Sequence, residues 1–155
     1  MKKKFSIVSF IVFLLIPLIV GFLSYYLTKD NMAIYDVFNK PAFSPPSWVF
    51  PPVWTALYIL MGIGSYLVYK NSSRLGLLFT YFLSLFANFF WPIVFFLWNE
   101  FGFAFIWLLL LFILTVAYTV DFLKVSKTAA IIQIPYILWL IVAGYLNFFV
   151  WQLNK

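Results

Sequence analysis

The chain has 155 residues, of which 66% are hydrophobic and only 9% are charged, and its net charge is +6. A soluble domain carries roughly 25% charged and 45–50% apolar residues, so this chain has more apolar side chains than a soluble fold of its length can bury. It contains no cysteine and no histidine, which excludes thiol nucleophiles, disulfides and histidine-ligated zinc or haem, and we expect neither a metal nor a resident cofactor.

Charged residues divide the chain into five uncharged windows, and each window is long enough to cross a bilayer. A helix needs about 20 apolar residues to span the hydrocarbon core. Because a backbone in lipid must satisfy its hydrogen bonds within the segment, the windows predict helices and not strands. The sequence therefore predicts an all-α membrane protein with a single five-helix domain over residues 1–155. The expected spans are about 5–27, 48–69, 75–97, 102–122 and 128–151.

The basic residues lie at the ends of the apolar windows, which makes them a guide to topology. The N-terminus shares a side with the second and fourth loops, and this side carries seven Lys and Arg residues against three on the other. Positive residues favour the cytoplasmic side, so we expect a bacterial cell membrane protein with its N-terminus in the cytoplasm and its C-terminus outside. Since the positive charges do not cluster on a polar module, nucleic acid is not an expected partner. The seven are Lys2, Lys3, Lys4, Lys70, Arg74, Lys124 and Lys127, and the three are Lys29, Lys40 and Lys155.

The first window also has one feature of a signal peptide, because Lys2, Lys3 and Lys4 precede its apolar run. The run is long for a signal core, however, and no small-x-small cleavage site follows it. We therefore expect a first membrane span.

The first loop, about residues 29–47, is longer than the others, and long loops more often carry function. Proline fixes its own φ and biases the preceding residue away from helix, so the segment from Asn39 to Trp54 predicts a stiff, extended entry into the second span. One interpretation is a helix-start signal, since proline is tolerated in the first helical turn. The other is a rigid lid that caps the bundle. The prolines are Pro41, Pro45, Pro46, Pro51 and Pro52.

Aromatic and polar residues recur at helical spacing in the second and third spans, so each set shares one face. A lone polar side chain in an apolar run, such as Asn88, usually faces the bundle interior. It could also bridge two helices, or satisfy the carbonyl that Pro92 leaves free. The second-span set is Trp54, Tyr58, Met61 and Ser65, and the third-span set is Asn88, Trp91, Phe95 and Trp98.

The fifth span places Trp139, Ala143 and Asn147 four residues apart on one face. Ala143 and Gly144 are small enough to let another helix or a flat ligand approach closely. Aromatic stripes on membrane helices also arise from packing alone, and the residues by themselves leave that alternative open.

Three sets of motifs, in the same order along the chain, resemble the translocator proteins, also called TspO or tryptophan-rich sensory proteins. Two first-loop positions depart from the family pattern, since Ile34 and Phe43 stand where tryptophan is usual. The C-terminal stretch has Phe148 and Phe149 where the sterol-recognition tyrosine of animal members is expected, so cholesterol binding has little support. The matching residues are Tyr35, Lys40, Pro41, Pro45, Pro46, Val49, Phe50, Val53, Trp54, Leu57 and Tyr58, then Asn88, Trp91, Pro92, Phe95 and Phe96, and finally Pro135, Tyr136, Trp139, Ala143, Leu146, Asn147 and Trp151.

The resemblance implies a five-helix bundle whose pocket, under the first loop, binds porphyrins and synthetic aromatic ligands. Trp54, Trp91 and Trp139 would stack on the ligand, Asn88 would donate a hydrogen bond and Lys40 would meet a propionate. Without histidine or cysteine to ligate iron, a metal-free tetrapyrrole fits better than haem. The ligand-binding residues implied in this way are Tyr35, Lys40, Trp54, Tyr58, Asn88, Trp91, Phe95, Trp139, Ala143 and Asn147.

Other functions stay open at this point. Light-dependent porphyrin breakdown, with Trp54 and Trp139 as electron donors, needs no acid–base residue. Passive tetrapyrrole transport and a purely structural role are further alternatives, and active transport lacks an intramembrane ion relay. Members of the family are often dimers, and the small residues Ala143 and Gly144 are compatible with a homodimer.

Overall fold

The structure is a computed structural model that describes residues 3–72 and 74–155. Met1, Lys2 and Ser73 lie outside the described residues. The topological role predicted for Lys2 therefore falls outside them as well. The described residues form helices and short turns, without a strand. The α-helices are α1 Ile7–Thr28, α2 Phe50–Asn71, α3 Phe79–Pro92, α4 Phe101–Leu123, α5 Lys127–Ile131 and α6 Ile134–Leu153.

Five helical segments in the described chain are long and apolar enough to cross a membrane, which confirms the predicted five-helix membrane fold. The second begins with a 3₁₀ turn before α2, and the fifth consists of α5 and α6 joined by a tight turn. This break follows from Pro135, which has no N–H to continue the helical ladder. The five segments are Ile7–Thr28, Ser47–Asn71, Leu75–Leu97, Phe101–Leu123 and Lys127–Leu153.

The third segment changes geometry at Pro92, where α3 gives way to a π-helical turn over Ile93–Leu97. The wider i→i+5 hydrogen bonds of this turn rotate the residues that follow it. As a result Trp98 is 56% exposed while Phe95 is buried. The prediction that Trp98 shares a face with Phe95 was therefore wrong, because it assumed a continuous α-helix.

The helix α1 contacts two different neighbours along its length. In its N-terminal half it packs on α2, where Gly62 lies against Leu14 so closely that a Cβ would come within 2.7 Å of the Leu14 Cα. In its C-terminal half the Ser24 hydroxyl donates to the Phe89 carbonyl of α3 at 2.9 Å. The helix therefore leans from α2 towards α3 on its way across the membrane.

The bundle interior is more polar than its lipid-facing surface. The amide of Gln133 is fully buried, accepts from the Tyr118 hydroxyl at 3.1 Å and donates to the Leu60 carbonyl at 3.2 Å. One side chain thus connects α2, α4 and the start of α6. Interhelical hydrogen bonds of this kind hold membrane helices together where the hydrophobic effect between them is absent.

The first loop closes the end of the bundle that holds the C-terminus. Phe38 packs edge-on against Phe101 at 4.9 Å. Asn39 and Asn154 form a pair of hydrogen bonds, in which the Asn39 N–H donates to Asn154 Oδ1 at 3.1 Å and Asn154 Nδ2 donates to the Asn39 carbonyl at 3.0 Å. We call this pair the Asn clasp. It fastens the loop to the C-terminal end of α6.

Candidate ligand-binding cavity

A cavity of about 610 Å³ lies beneath the first loop, between α1, α2, α3 with its π turn, and α6. Ligand pockets in proteins measure about 300–1,000 Å³. In the described part of the chain the lining contains no charged side chain. The space therefore suits an apolar molecule, with selectivity set by a few polar groups. Nine of the ten predicted ligand-binding residues line it, namely Tyr35, Trp54, Tyr58, Asn88, Trp91, Phe95, Trp139, Ala143 and Asn147.

Indole rings from three helices face this cavity. Trp54 stacks on Tyr58 with ring centroids 5.7 Å apart, and Trp91 stacks on Phe95 at 5.3 Å. Trp139 meets Phe50 edge-on at 5.9 Å. Because each indole is braced by a second ring, the walls present aromatic surfaces in fixed orientations.

The floor of the cavity is a hydrogen-bonded triad centred on Asn88. The Tyr58 hydroxyl donates to Asn88 Oδ1 at 2.6 Å, and Asn88 Nδ2 donates to the Tyr136 hydroxyl at 2.8 Å. The amide is 2% exposed and engaged through both its oxygen and its nitrogen. Its observed role is to join α2, α3 and α6. The resemblance implied that Asn88 would donate a hydrogen bond to the ligand. In the structure its amide nitrogen already donates to the Tyr136 hydroxyl.

A second amide fixes one of the walls. Trp91 Nε1 donates to Asn147 Oδ1 at 3.1 Å, while Asn147 Nδ2 donates to the Phe101 carbonyl at 2.8 Å. Asn147 therefore sets the angle of the Trp91 indole and ties it to the start of α4.

Trp139 differs from Trp91 in its hydrogen bonding. Its Nε1 is buried and has no hydrogen-bond partner among the described residues. A buried N–H without a partner costs free energy that a ligand acceptor or a water molecule could recover.

Lys40 is the predicted site residue that does not line the cavity. Its Nζ donates to the Tyr35 carbonyl at 2.8 Å and lies 3.9 Å from the Asp36 carboxylate. The lysine thereby braces the loop above the cavity. Burial raises the pKa of the Tyr35 hydroxyl above its ordinary value; a hydrogen bond with Ser44 opposes this rise and the Asp36 charge adds to it.

Sequence reasoning missed the contribution of α1, which supplies six lining residues. The helix is apolar nearly throughout and gave no amphipathic pattern to read. The signal it did carry is a run of small and hydroxyl residues, Gly21, Ser24 and Thr28, at helical spacing, which is typical of a helix-packing face. The six are Leu18, Gly21, Phe22, Ser24, Tyr25 and Thr28.

The small residues proposed for close packing point inward. Ala143 is buried in the cavity wall, and Gly144 faces Leu108 of α4 at 3.9 Å from an ideal Cβ. They pack inside the bundle, so a homodimer stays a prediction without an assigned interface.

Comparison with known proteins gives consistent relatives over most of the chain. The model of the TspO/MBR family matches residues 13–152. The chain is 36% identical over 149 residues to Translocator protein of Ovis aries, and this alignment covers 92% of the chain and 88% of the relative. It is 36% identical over 143 residues to Tryptophan-rich protein TspO of Chlorobaculum tepidum, covering 88% and 90%. A protein of the same name from Archaeoglobus fulgidus is 34% identical over 157 residues, covering 96% and 99%.

The matched region includes the second, third and fourth membrane-length helices, most of the first and fifth, and every residue that lines the cavity. The resemblance inferred from the three sets of motifs is thereby confirmed. The chain is an integral membrane protein and belongs to the TspO/MBR family.

Proposed function

We propose that the cavity binds a flat aromatic tetrapyrrole of the protoporphyrin type. The observation that carries the proposal is the set of three indoles, Trp54, Trp91 and Trp139, around an uncharged space of about 610 Å³. A tetrapyrrole is a broad apolar disc that such rings can stack against. Each aromatic contact contributes about 0.5–1.5 kcal/mol beyond the burial of area.

The chemistry of the lining favours a metal-free ligand with its acidic groups outside the cavity. The sequence contains no histidine or cysteine that could hold haem iron axially. Propionates would point towards the first loop, because the described lining has no cation to meet them and burying an unpaired carboxylate is costly. Lys40 would have to leave Asp36 to reach one.

The test is a titration of the purified protein with protoporphyrin IX in the dark, followed by tryptophan fluorescence. Saturable quenching is expected in the wild type, with weaker binding in Trp54→Ala and in Trp139→Ala. Trp48→Ala is the matched control, since Trp48 is 72% exposed and does not line the cavity. If both cavity variants bound protoporphyrin IX with wild-type affinity, the proposal would be wrong.

A second candidate function is light-dependent breakdown of the bound porphyrin. It is favoured by the position of Trp54 and Trp139, which line one cavity from two helices. A photoexcited porphyrin can take an electron from an indole in contact with it and pass that electron to molecular oxygen, which becomes superoxide. The indole radical cation can then take an electron back from the porphyrin, and the resulting porphyrin radical cation combines with superoxide. The net change is the addition of one O2 to a carbon–carbon bond of the porphyrin, which breaks that bond and leaves the indole regenerated. Illumination in air should yield a product with a changed visible spectrum, and the product should be lost in Trp54→Phe with Trp139→Phe. Equal yield in the dark would contradict this function.

We also propose a bacterial-type orientation with the N-terminus in the cytoplasm. Of the described basic residues, six lie at the end of the helices that holds the N-terminus and three at the other end. Single cysteines at Ser72 and Asn154, in a chain that has none of its own, allow a labelling test. An impermeant thiol reagent applied to intact cells should label Asn154→Cys and spare Ser72→Cys.

A further inference from the structure

One wall of the cavity is formed by the C-terminal half of α1 and the N-terminal half of α2, and both helices supply lining residues there. The two helices touch where Gly62 abuts Leu14, and again where Gly21 lies against the Tyr58 ring. Closer to the first loop, the Ser24 hydroxyl of α1 donates to the Phe89 carbonyl of α3. At that level the hydrogen bond joins α1 to α3 and not to α2.

Three residues of this wall both line the cavity and are exposed. Phe22 and Tyr25 on α1 are 63% and 49% exposed, and Thr55 on α2 is exposed as well. Exposed lining residues on both helices are what a passage between them would have. We call this part of the wall the α1–α2 opening.

The α1–α2 opening lies at the depth of the hydrocarbon. At a rise of about 1.5 Å per residue, Phe22 is about 7 Å from the middle of α1 and Thr55 about 8 Å from the middle of α2. The hydrocarbon core extends about 15 Å on either side of its centre. The edge residues therefore meet lipid chains and not water.

The route through the first loop is closed by comparison. The Asn clasp joins the loop to α6, and Phe38 packs on Phe101. The Ser47 hydroxyl donates to Asp36 at 3.1 Å, and Lys40 binds the Tyr35 carbonyl. A molecule that entered from water would have to break these contacts.

We propose that the cavity exchanges its ligand with the bilayer hydrocarbon through the α1–α2 opening. The ligand class is therefore a membrane-dissolved molecule with a broad apolar body, whose acidic groups stay on the side of the headgroups and the first loop. The first loop acts as a fixed roof. The inference rests on the proposed function for its probe, protoporphyrin IX, but the position of the opening can be tested without any ligand.

The ligand-free test places a nitroxide on Thr55→Cys, the only cysteine in the variant, in protein reconstituted into nanodiscs. We expect relaxation by oxygen to be strong and relaxation by a water-soluble nickel chelate to be weak. Phe86→Cys, on the lipid-facing side of α3, is the hydrocarbon control, and Val37→Cys, 79% exposed in the loop, is the aqueous control. A Thr55 label that resembles the Val37 label would overturn the proposal.

The kinetic test follows protoporphyrin IX binding and release in nanodiscs in the dark. Phe22→Ala, which widens the opening, should speed both rates several-fold, more than it changes their ratio. Asn154→Ala, which unfastens the Asn clasp, should leave both rates near wild type, as should Phe86→Ala.

The reverse pattern, with Asn154→Ala fast and Phe22→Ala unchanged, would place the route at the loop and contradict the proposal. Absence of saturable binding in the wild type would contradict the proposed function instead. The nitroxide result would then still support or overturn the lipid-facing opening.

Discussion

Asn88 joins three helices through one amide, so its loss should be felt beyond its own position. Asn88→Leu removes the acceptor of the Tyr58 hydroxyl and the donor to the Tyr136 hydroxyl. A buried polar group left unsatisfied costs about 1–3 kcal/mol in soluble proteins, and interhelical hydrogen bonds in membranes average about 0.6 kcal/mol. We expect a loss of stability of about 1 kcal/mol, seen as a lower thermal midpoint in detergent.

Removing the two hydroxyls provides the control for Asn88. In a variant that already carries Tyr58→Phe and Tyr136→Phe, Asn88→Leu should cost clearly less than it does in the wild type, because no hydroxyl is then left without a partner. Equal costs in both backgrounds would show that the triad is not coupled.

Two buried tyrosines on facing helices give a matched pair for testing single hydroxyls. The Tyr81 hydroxyl has no hydrogen-bond partner among the described residues, whereas Tyr118 donates to Gln133. Tyr81→Phe should therefore keep or raise the thermal midpoint, while Tyr118→Phe should lower stability by about 1 kcal/mol. A drop in Tyr81→Phe as large as that in Tyr118→Phe would show that the Tyr81 hydroxyl does have a partner, either the nearby Ser65 hydroxyl or an internal water.

At the level of helices, the α1–α2 contact depends on glycine at position 62. A Cβ there would meet the Leu14 backbone, which cannot rotate away as a side chain could. Gly62→Ala should destabilise the protein by about 1–3 kcal/mol, the usual cost of overpacking.

Gly76, in the short turn before α3, is the control for Gly62. Nothing lies within 4 Å of an ideal Cβ at that position. Gly76→Ala should therefore be neutral or stabilise by up to about 1 kcal/mol through the unfolded state. Thermal unfolding of both variants checks this pair. Equal effects would mean that helix propensity, and not the contact with Leu14, determines the change in stability.

Sequence periodicity predicted elements well where each helix obeyed one repeat. Trp54 and Tyr58, as well as Trp139, Ala143 and Asn147, reach the same cavity as their spacing indicated. It failed at Trp98, since the π turn after Pro92 adds a rotation that a 3.6-residue repeat does not contain. The sequence also did not predict the break before α6. Pro135 permits either a kink or a new helix start, and packing against neighbouring helices decides between them.

Tertiary partners were harder to predict than helices. Composition and window length were enough for five spans, because lipid leaves a backbone few choices. The pairing of Asn39 with Asn154, more than a hundred residues apart, has no local signal. Asp36 and Lys40 are only four residues apart, so their pairing did have a local signal, but the sequence gave no reason to prefer it over a contact of Lys40 with a ligand.

For the molecule as a whole, the cavity is the place where four of the five spans meet, so a ligand inside it should stabilise the whole bundle. A ligand at a hundred times its Kd stabilises the folded state by about 2.7 kcal/mol. Protoporphyrin IX in excess should therefore raise the thermal midpoint of the wild type and of Trp48→Ala, but raise that of Trp54→Ala less. Haem should give no larger shift than the metal-free compound, because the chain has no histidine or cysteine to hold iron. A larger shift with haem, together with an absorption change at the Soret band, would point instead to a tyrosine as axial ligand. The tyrosines of the cavity lining, Tyr25, Tyr35 and Tyr58, would then be replaced first.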